Sequence, residues 1–177
     1  MNRILIVLAA LLPLLTGCVS SQMKDITIEA EADTNVDFAA YKSYAWLGSA
    51  AVVFDEQGRW EPPGFDADAE IEFLINRELR TRGLYENSAA PELVVSYAAG
   101  IDMESMQLKT DQSDQEIREA LENVPMGALV VVLIDFDTGK AVWVGVAEAE
   151  IQQNPDDELV RKRLDYAVSS MFKKLPR

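Results

Sequence analysis

The chain has 177 residues, of which 16 are basic and 30 acidic, with no histidine and a single cysteine. A net charge of −14 repels nucleic acid and anionic lipid head groups, and the missing imidazole excludes His-dependent triads, acid–base pairs and zinc sites. One cysteine permits no internal disulfide, so stability has to come from packing.

The first eighteen residues have three parts. Asn2 and Arg3 make a short positive start, Ile4 to Leu15 an apolar run, and Thr16-Gly17 a small pair before Cys18. The run is too short to span a bilayer and has the form of a secretory signal, with small residues where a peptidase must reach the backbone. Leu15-Thr16-Gly17-Cys18 resembles the lipobox of a bacterial lipoprotein. That resemblance implies that Cys18 becomes the first mature residue, with a diacylglyceryl group on its sulfur and usually a third acyl chain on its amino group. Each buried methylene contributes about 0.8 kcal/mol, so two or three chains make attachment effectively permanent. Val19 stands where an aspartate would resemble an inner-membrane retention signal, so an outer-membrane, periplasm-facing location is expected. Removing residues 1–17 takes away Arg3 and leaves 160 residues with a net charge of −15, enough for one domain and hardly for two. The expected organisation is a signal peptide over 1–17, a lipidated tether over 18–24 and one periplasmic domain over 25–177.

Val19 to Lys24 reads as a short polar tether, and seven residues from Cys18 reach at most about 23–25 Å. Asp25 to Ala32 alternates, with Ile26, Ile28 and Ala30 on one side and Thr27, Glu29 and Glu31 on the other, as in a half-exposed strand. A turn with one helical turn is expected over Asp33–Ala40. A second strand follows around Ser43–Leu47 with Tyr44 and Trp46 on one side, then an irregular stretch over Gly48–Gly64 containing Trp60. Asp66 or Asp68 can cap a helix whose stripe is Ile71, Leu74, Ile75 and Leu79, and Gly83 can stop it. Leu93–Ile101 is apolar on both faces and reads as an internal strand. Ser113-Asp114-Gln115-Glu116 has the form of a capping box for a short helix with Ile117, Ala120, Leu121 and Val124 inward.

Ala128–Phe136 and Lys140–Ile151 are β-rich runs joined by Asp137-Thr138-Gly139, in which Gly139 can take a left-handed conformation. Both are apolar on both faces and are expected to be central strands. The second has a small face, Ala141, Gly145, Ala147 and Ala149, interrupted by Trp143, over which a helix can approach closely. Asn154-Pro155 is expected to open a final helix with Val160, Leu164, Ala167, Val168, Met171 and Phe172 as its buried stripe. The expected fold is α+β: a two-layer sandwich, mostly antiparallel sheet packed against two or three helices.

Val36-Asp37-Phe38-Ala39-Ala40-Tyr41-Lys42-Ser43-Tyr44-Ala45-Trp46 resembles the opening signature of the bacterial lipoprotein family called domain of unknown function 4136. Leu79 to Leu84, Pro91 to Tyr97 and Leu133 to Glu148 extend the resemblance over most of the mature chain, from about Asp25 to Pro176. The family often carries a basic residue after the tryptophan, where this chain has Val144, and its middle segment differs over Gln112–Val124. The resemblance implies fold and location, with no established activity attached.

Candidate chemistry is sparse. No phosphate-cradling glycine loop occurs, and no cofactor is expected. Among thirty carboxylates, Asp37, Asp135 and Glu148 stand beside the matched segments, where turns, caps or a sheet edge are their expected roles. Asp135-Phe136-Asp137-Thr138-Gly139 begins like a calcium loop, but its sixth position is Lys140 and its twelfth Val146, so a hairpin turn is expected. Asp111, Asp114 and Glu116 read as a solvated face with a cap rather than a metal site. Trp46 and Trp143 read as cross-strand core aromatics. Trp60, beside Pro62-Pro63, has no core assignment and is the candidate partner or ligand contact. Three functions fit: a non-catalytic envelope protein that binds or organises an envelope partner, a carrier or sensor of a small apolar ligand behind the face near Gly145, and an acid-based hydrolase. The first is expected, with the membrane bound through lipid on Cys18, an envelope protein as partner and no nucleic acid.

Overall fold

The computed structural model describes residues 21–51, 62–101, 127–150, 152 and 156–177. The expected signal and lipobox with Cys18, Trp60, the capping box and helix over 113–124, Asn154 and Pro155 lie outside the described residues. Among the described residues, six strands and two helices follow in the order β1 (Thr27–Ala32), β2 (Ser43–Ala51), α1 (Ala67–Thr81), β3 (Tyr85–Glu86), β4 (Leu93–Ile101), β5 (Gly127–Asp135), β6 (Ala141–Ala149) and α2 (Asp157–Lys173). Single 3₁₀ turns occupy Ser21–Met23 and Phe38–Ala40. The fold is α+β, built on one mixed sheet in the order β1-β6-β5-β4-β2-β3.

The ladders β1–β6, β6–β5 and β5–β4 are antiparallel, as the alternating patterns and the β5–β6 turn lead one to expect. The other half of the sheet departs from that expectation, because β2 runs parallel to both β4 and β3. The cause is α1, which leaves the far end of β2 and carries the chain back so that β3 restarts beside Ser43 in the same direction. A two-residue strand such as Tyr85-Glu86 carries no periodicity to announce it. β2 also runs on to Ala51, into the stretch expected to be irregular.

Two bulges adjust the sheet. The register of β2 slips between Trp46 and Gly48, and that of β6 between Trp143 and Ala141, leaving Val142 as the extra residue. The β6 bulge lets Val142 and Trp143 both join the main core, at 4% and 1% exposure.

The helices end as elementary capping rules require. The Asp66 carboxylate accepts from the Ala69 amide at 3.0 Å. At the other end Gly83, at φ 86°, lets its own amide reach Arg80 O at 2.9 Å while Leu84 N reaches Leu79 O at 3.1 Å, a Schellman closure. α2 starts later than Asn154-Pro155 suggests. Its cap is Asp156, whose side chain accepts from Leu159 N at 2.7 Å, so the acids Asp157 and Glu158 fill the first turn.

The two helices run parallel to one another. Glu70 pairs with Arg161 near their starts, Arg77 with Asp165 at 2.5 Å midway, and Arg82 donates to the Phe172 and Pro176 carbonyls near their ends. Their stripes, Ile71-Leu74-Ile75-Leu79 and Ala167-Val168-Met171-Phe172, share one core with Leu129, Val131 and Leu133 of β5. The alternate β5 residues Ala128 and Val130 form a separate cluster with Val146, against which Val132 and Val144 pack. Apolar patterning on both faces of β5 and β6 therefore corresponds to central strands, as expected.

Candidate functional site

The acids singled out in the sequence hold the chain in place. Asp37 accepts from Ala39 N at 3.1 Å and so opens the 3₁₀ turn. Asp135 closes β5 by accepting from Thr138 N at 2.8 Å and Thr138 Oγ1 at 2.7 Å, with Gly139 at φ 67° completing the hairpin turn. Its second oxygen accepts from the Tyr41 hydroxyl at 2.8 Å. These donors, Thr138 first, hold the Asp135 carboxyl below the usual range, while burial and the Asp135 hydrogen bond push Tyr41 up to about 12. Glu148 stands opposite Thr27 in the β1–β6 ladder. The three carboxylates thus sit on separate elements. Among the described residues no group of three or more His, Cys, Asp or Glu could hold a metal ion; Asp111, Asp114 and Glu116 lie outside them.

The two described tryptophans face the helices. Trp46 meets Tyr97 edge-on at 6.1 Å, and its indole N–H reaches Asn76 Oδ1 at 3.2 Å, where the Tyr44 hydroxyl also donates at 2.7 Å. The Tyr97 hydroxyl reaches Asp68 at 2.8 Å, so α1 is tied to the sheet by polar tips on aromatic bodies. Trp143 lies 5.2 Å from Phe172 and folds over Gly145. A methyl on Gly145 would come within 2.8 Å of Trp143 Cζ2, closer still to Cη2, and 3.2 Å from Met171 Sδ. The small face of β6 is therefore filled by the protein's own indole and by α2. Val144, where the family often has a basic residue, packs against the second apolar cluster.

One heavily tied polar group was passed over in the sequence reading. Arg163, with a side chain only 11% exposed, chelates Asp25 at 2.8 and 2.5 Å and donates to the carbonyls of Gln22 and Glu150. Asp25 in turn accepts from Glu150 N at 3.1 Å. The guanidinium holds the Asp25 carboxyl well below its ordinary range, outweighing the opposite effect of burial. Met23, read above as tether, is buried at 8% exposure, and its carbonyl accepts from Ile26 N at 3.2 Å. Residues 22–25 are thus fastened to α2 and to the end of β6. The available signal was positional: Arg163 shares the helical spacing of Val160 and Ala167, so it faces inward while charged.

The sequence profile described as "Domain of unknown function (DUF4136)" matches residues 28–177. No curated protein matches the chain. Among solved structures, a DUF4136 family protein from Bacteroides thetaiotaomicron superposes with a TM-score of 0.57 at 8% identity, over 85% of this chain and 95% of that one, which shows the shared fold. A PelC dodecamer from Paraburkholderia phytofirmans gives 0.48 at 15% identity, over 82% of this chain and 94% of that one. A DUF330 protein from Xanthomonas campestris gives 0.44 at 12% identity, over 76% and 81%.

Proposed function

This chain belongs to the DUF4136 family, and from that premise we propose that it is a non-catalytic lipoprotein of the bacterial envelope, anchored through acylated Cys18 and binding or organising an envelope partner. Its seat is the outer membrane, facing the periplasm, because Val19 follows the modified cysteine. The carrying observation is the lipobox Leu15-Thr16-Gly17-Cys18 placed only four residues ahead of the segment that Arg163 fastens to the domain. A chain built for anchoring needs a firm root close to its lipid, and residues 22–25 supply one.

The non-catalytic reading is supported by the engagement of Asp37 and Asp135 in caps and turns and by the missing histidine. A ligand carrier would need room over Gly145, which the Trp143 indole occupies. The body is a two-layer sandwich, a reading supported by both helix stripes sharing one core with alternate residues of β5.

The test is fractionation of cells expressing the parent chain and Cys18→Ser. The parent is expected in the detergent-soluble outer-membrane fraction and the variant as an unprocessed precursor outside it. Identical fractionation of the two would sink the proposal.

A further inference from the structure

β1 is the outer strand at one margin of the sheet, and its far side is open among the described residues. Asp33 N donates inward to Val142 O at 2.9 Å, so alternation turns the Glu31 and Glu29 amides toward β6 as well. The amides and carbonyls of Ile28, Ala30 and Ala32 therefore point outward, along an edge about 20 Å long. None of these three amides has a partner among the described residues. The opposite margin is blunted: β3 has two residues, and β2 is bulged between Trp46 and Gly48. β1 carries neither bulge nor proline.

The two faces of this edge differ in chemistry. Toward the helices, Ile28, Ala30 and Ala32 pack on the main core yet stay only half-buried. On the other face stand Glu29 and Glu31, both exposed, with Glu148 beside them opposite Thr27. No ion pair or hydrogen bond engages these three carboxylates among the described residues. Arg163 is committed to Asp25, and Lys140 acts on Asp33 beyond the far end of the strand. A second β1 paired antiparallel here would set Glu29 and Glu31 against the same residues of the first copy, which is repulsive. A strand that alternates cationic and apolar side chains meets no such obstacle.

We propose that the free edge of β1 takes up an extended segment of an envelope partner as an additional strand. Lysines or arginines of that segment lie against Glu29, Glu31 and Glu148, and its apolar side chains cover Ile28, Ala30 and Ala32. Backbone hydrogen bonds supply the attachment, and the alternation supplies the choice of partner. Uptake of such a segment rests on the partner-binding role proposed above and gives that partner a chemistry. The same glutamates keep copies of this chain from pairing edge to edge.

The experiment uses the full mature lipoprotein in detergent micelles and a fluorescein-labelled, end-blocked octapeptide in which lysine alternates with valine. A peptide of the same composition, with its lysines in one block and its valines in another, controls for net charge. Fluorescence anisotropy is expected to show the alternating peptide binding several-fold more tightly, with hydrogen–deuterium exchange slowed at Ile28, Ala30 and Ala32. Glu29→Lys combined with Glu31→Lys, both at exposed positions, is expected to erase that preference. N-methylation of the alternating peptide's amides, which leaves its charge unchanged, is expected to erase it too. Equal binding of the alternating and block peptides, or a preference that survives N-methylation, overturns strand addition. Exchange that slows at the same amides without peptide, as protein concentration rises, makes a second copy the occupant and overturns it as well. Either failure, on a chain whose intact mass shows acyl groups on Cys18, leaves the anchor standing. An unmodified Cys18 overturns the anchor alone, and a preference for the alternating peptide then still supports the edge.

Discussion

Gly145→Ala is the sharpest probe of the core. The added methyl would sit 2.8 Å from Trp143 Cζ2, nearer to Cη2, and 3.2 Å from Met171 Sδ. Neither neighbour is free to yield: Trp143 and Met171 are 1% and 0% exposed, and the indole is backed by Phe172 at 5.2 Å. Overpacking of this kind destabilises by up to about 3 kcal/mol. Replacing glycine in a strand interior recovers about 0.5–1 kcal/mol of backbone entropy, leaving a net loss of about 2 kcal/mol. For a domain of this size that lowers the melting temperature by about 4–8 °C, measurable by near-ultraviolet circular dichroism and by a lower urea midpoint at unchanged slope. Trp143→Phe removes the clashing ring atoms and an indole N–H that lacks a hydrogen-bond partner among the described residues. The double variant should therefore be more stable than the sum of the single changes predicts, with a coupling of about 1–2 kcal/mol. A Gly145→Ala protein as stable as the parent, or more stable, would refute this reasoning and show that the face over Gly145 is open.

Arg163→Ala leaves Asp25 without its guanidinium in a site where the two side chains are 11% and 19% exposed; a loss of about 2–3 kcal/mol is expected, below that of a fully buried pair. Trypsin should then cut after the exposed Lys24 at protein concentrations and times that leave the parent intact. Asp25, Asp33, Glu92 and Asp135 all titrate below their ordinary values when folded, so the unfolded chain binds more protons in acid. Their contribution is fully present above about pH 5 and is lost as pH falls through the folded-state values; Asp25→Asn should flatten that limb of a stability profile. At the alkaline end the folded Tyr41 holds its proton to about 12. Its share of stability is present below about pH 10 and lost as pH rises from there toward the folded value, so Tyr41→Phe should flatten the profile and remove one late-rising phenolate from the absorbance titration.

What could be read from the amino acids alone follows the range of the forces involved. Short-range rules served well: Asp66 caps α1, Gly83 closes it, Gly139 turns the β5–β6 hairpin, and Tyr44 and Trp46 share a face. The cap of α2 slipped by two residues because Asn154, Asp156 and Asp157 are all competent caps, and only backbone geometry selects Asp156. Long-range choices were hidden. The parallel pairing of β2 with β4 depends on how α1 crosses the sheet, which no local pattern encodes. Arg163's grip on Asp25 joins residues 138 positions apart, and a lone arginine among many charges gives no hint of its partner. The small face on β6 was legible as a place where a helix comes close, and Met171 of α2 does lie over Gly145; that the Trp143 indole folds back over the same glycine is encoded in no local pattern.

The most direct measurement is the intact mass of the protein extracted from its native membrane, with sequencing of its N-terminal peptide. The protein is expected to begin at Cys18 and to carry diacylglyceryl and acyl groups there. A chain that keeps residues 1–17, or begins at an unmodified Cys18, would contradict lipid anchoring.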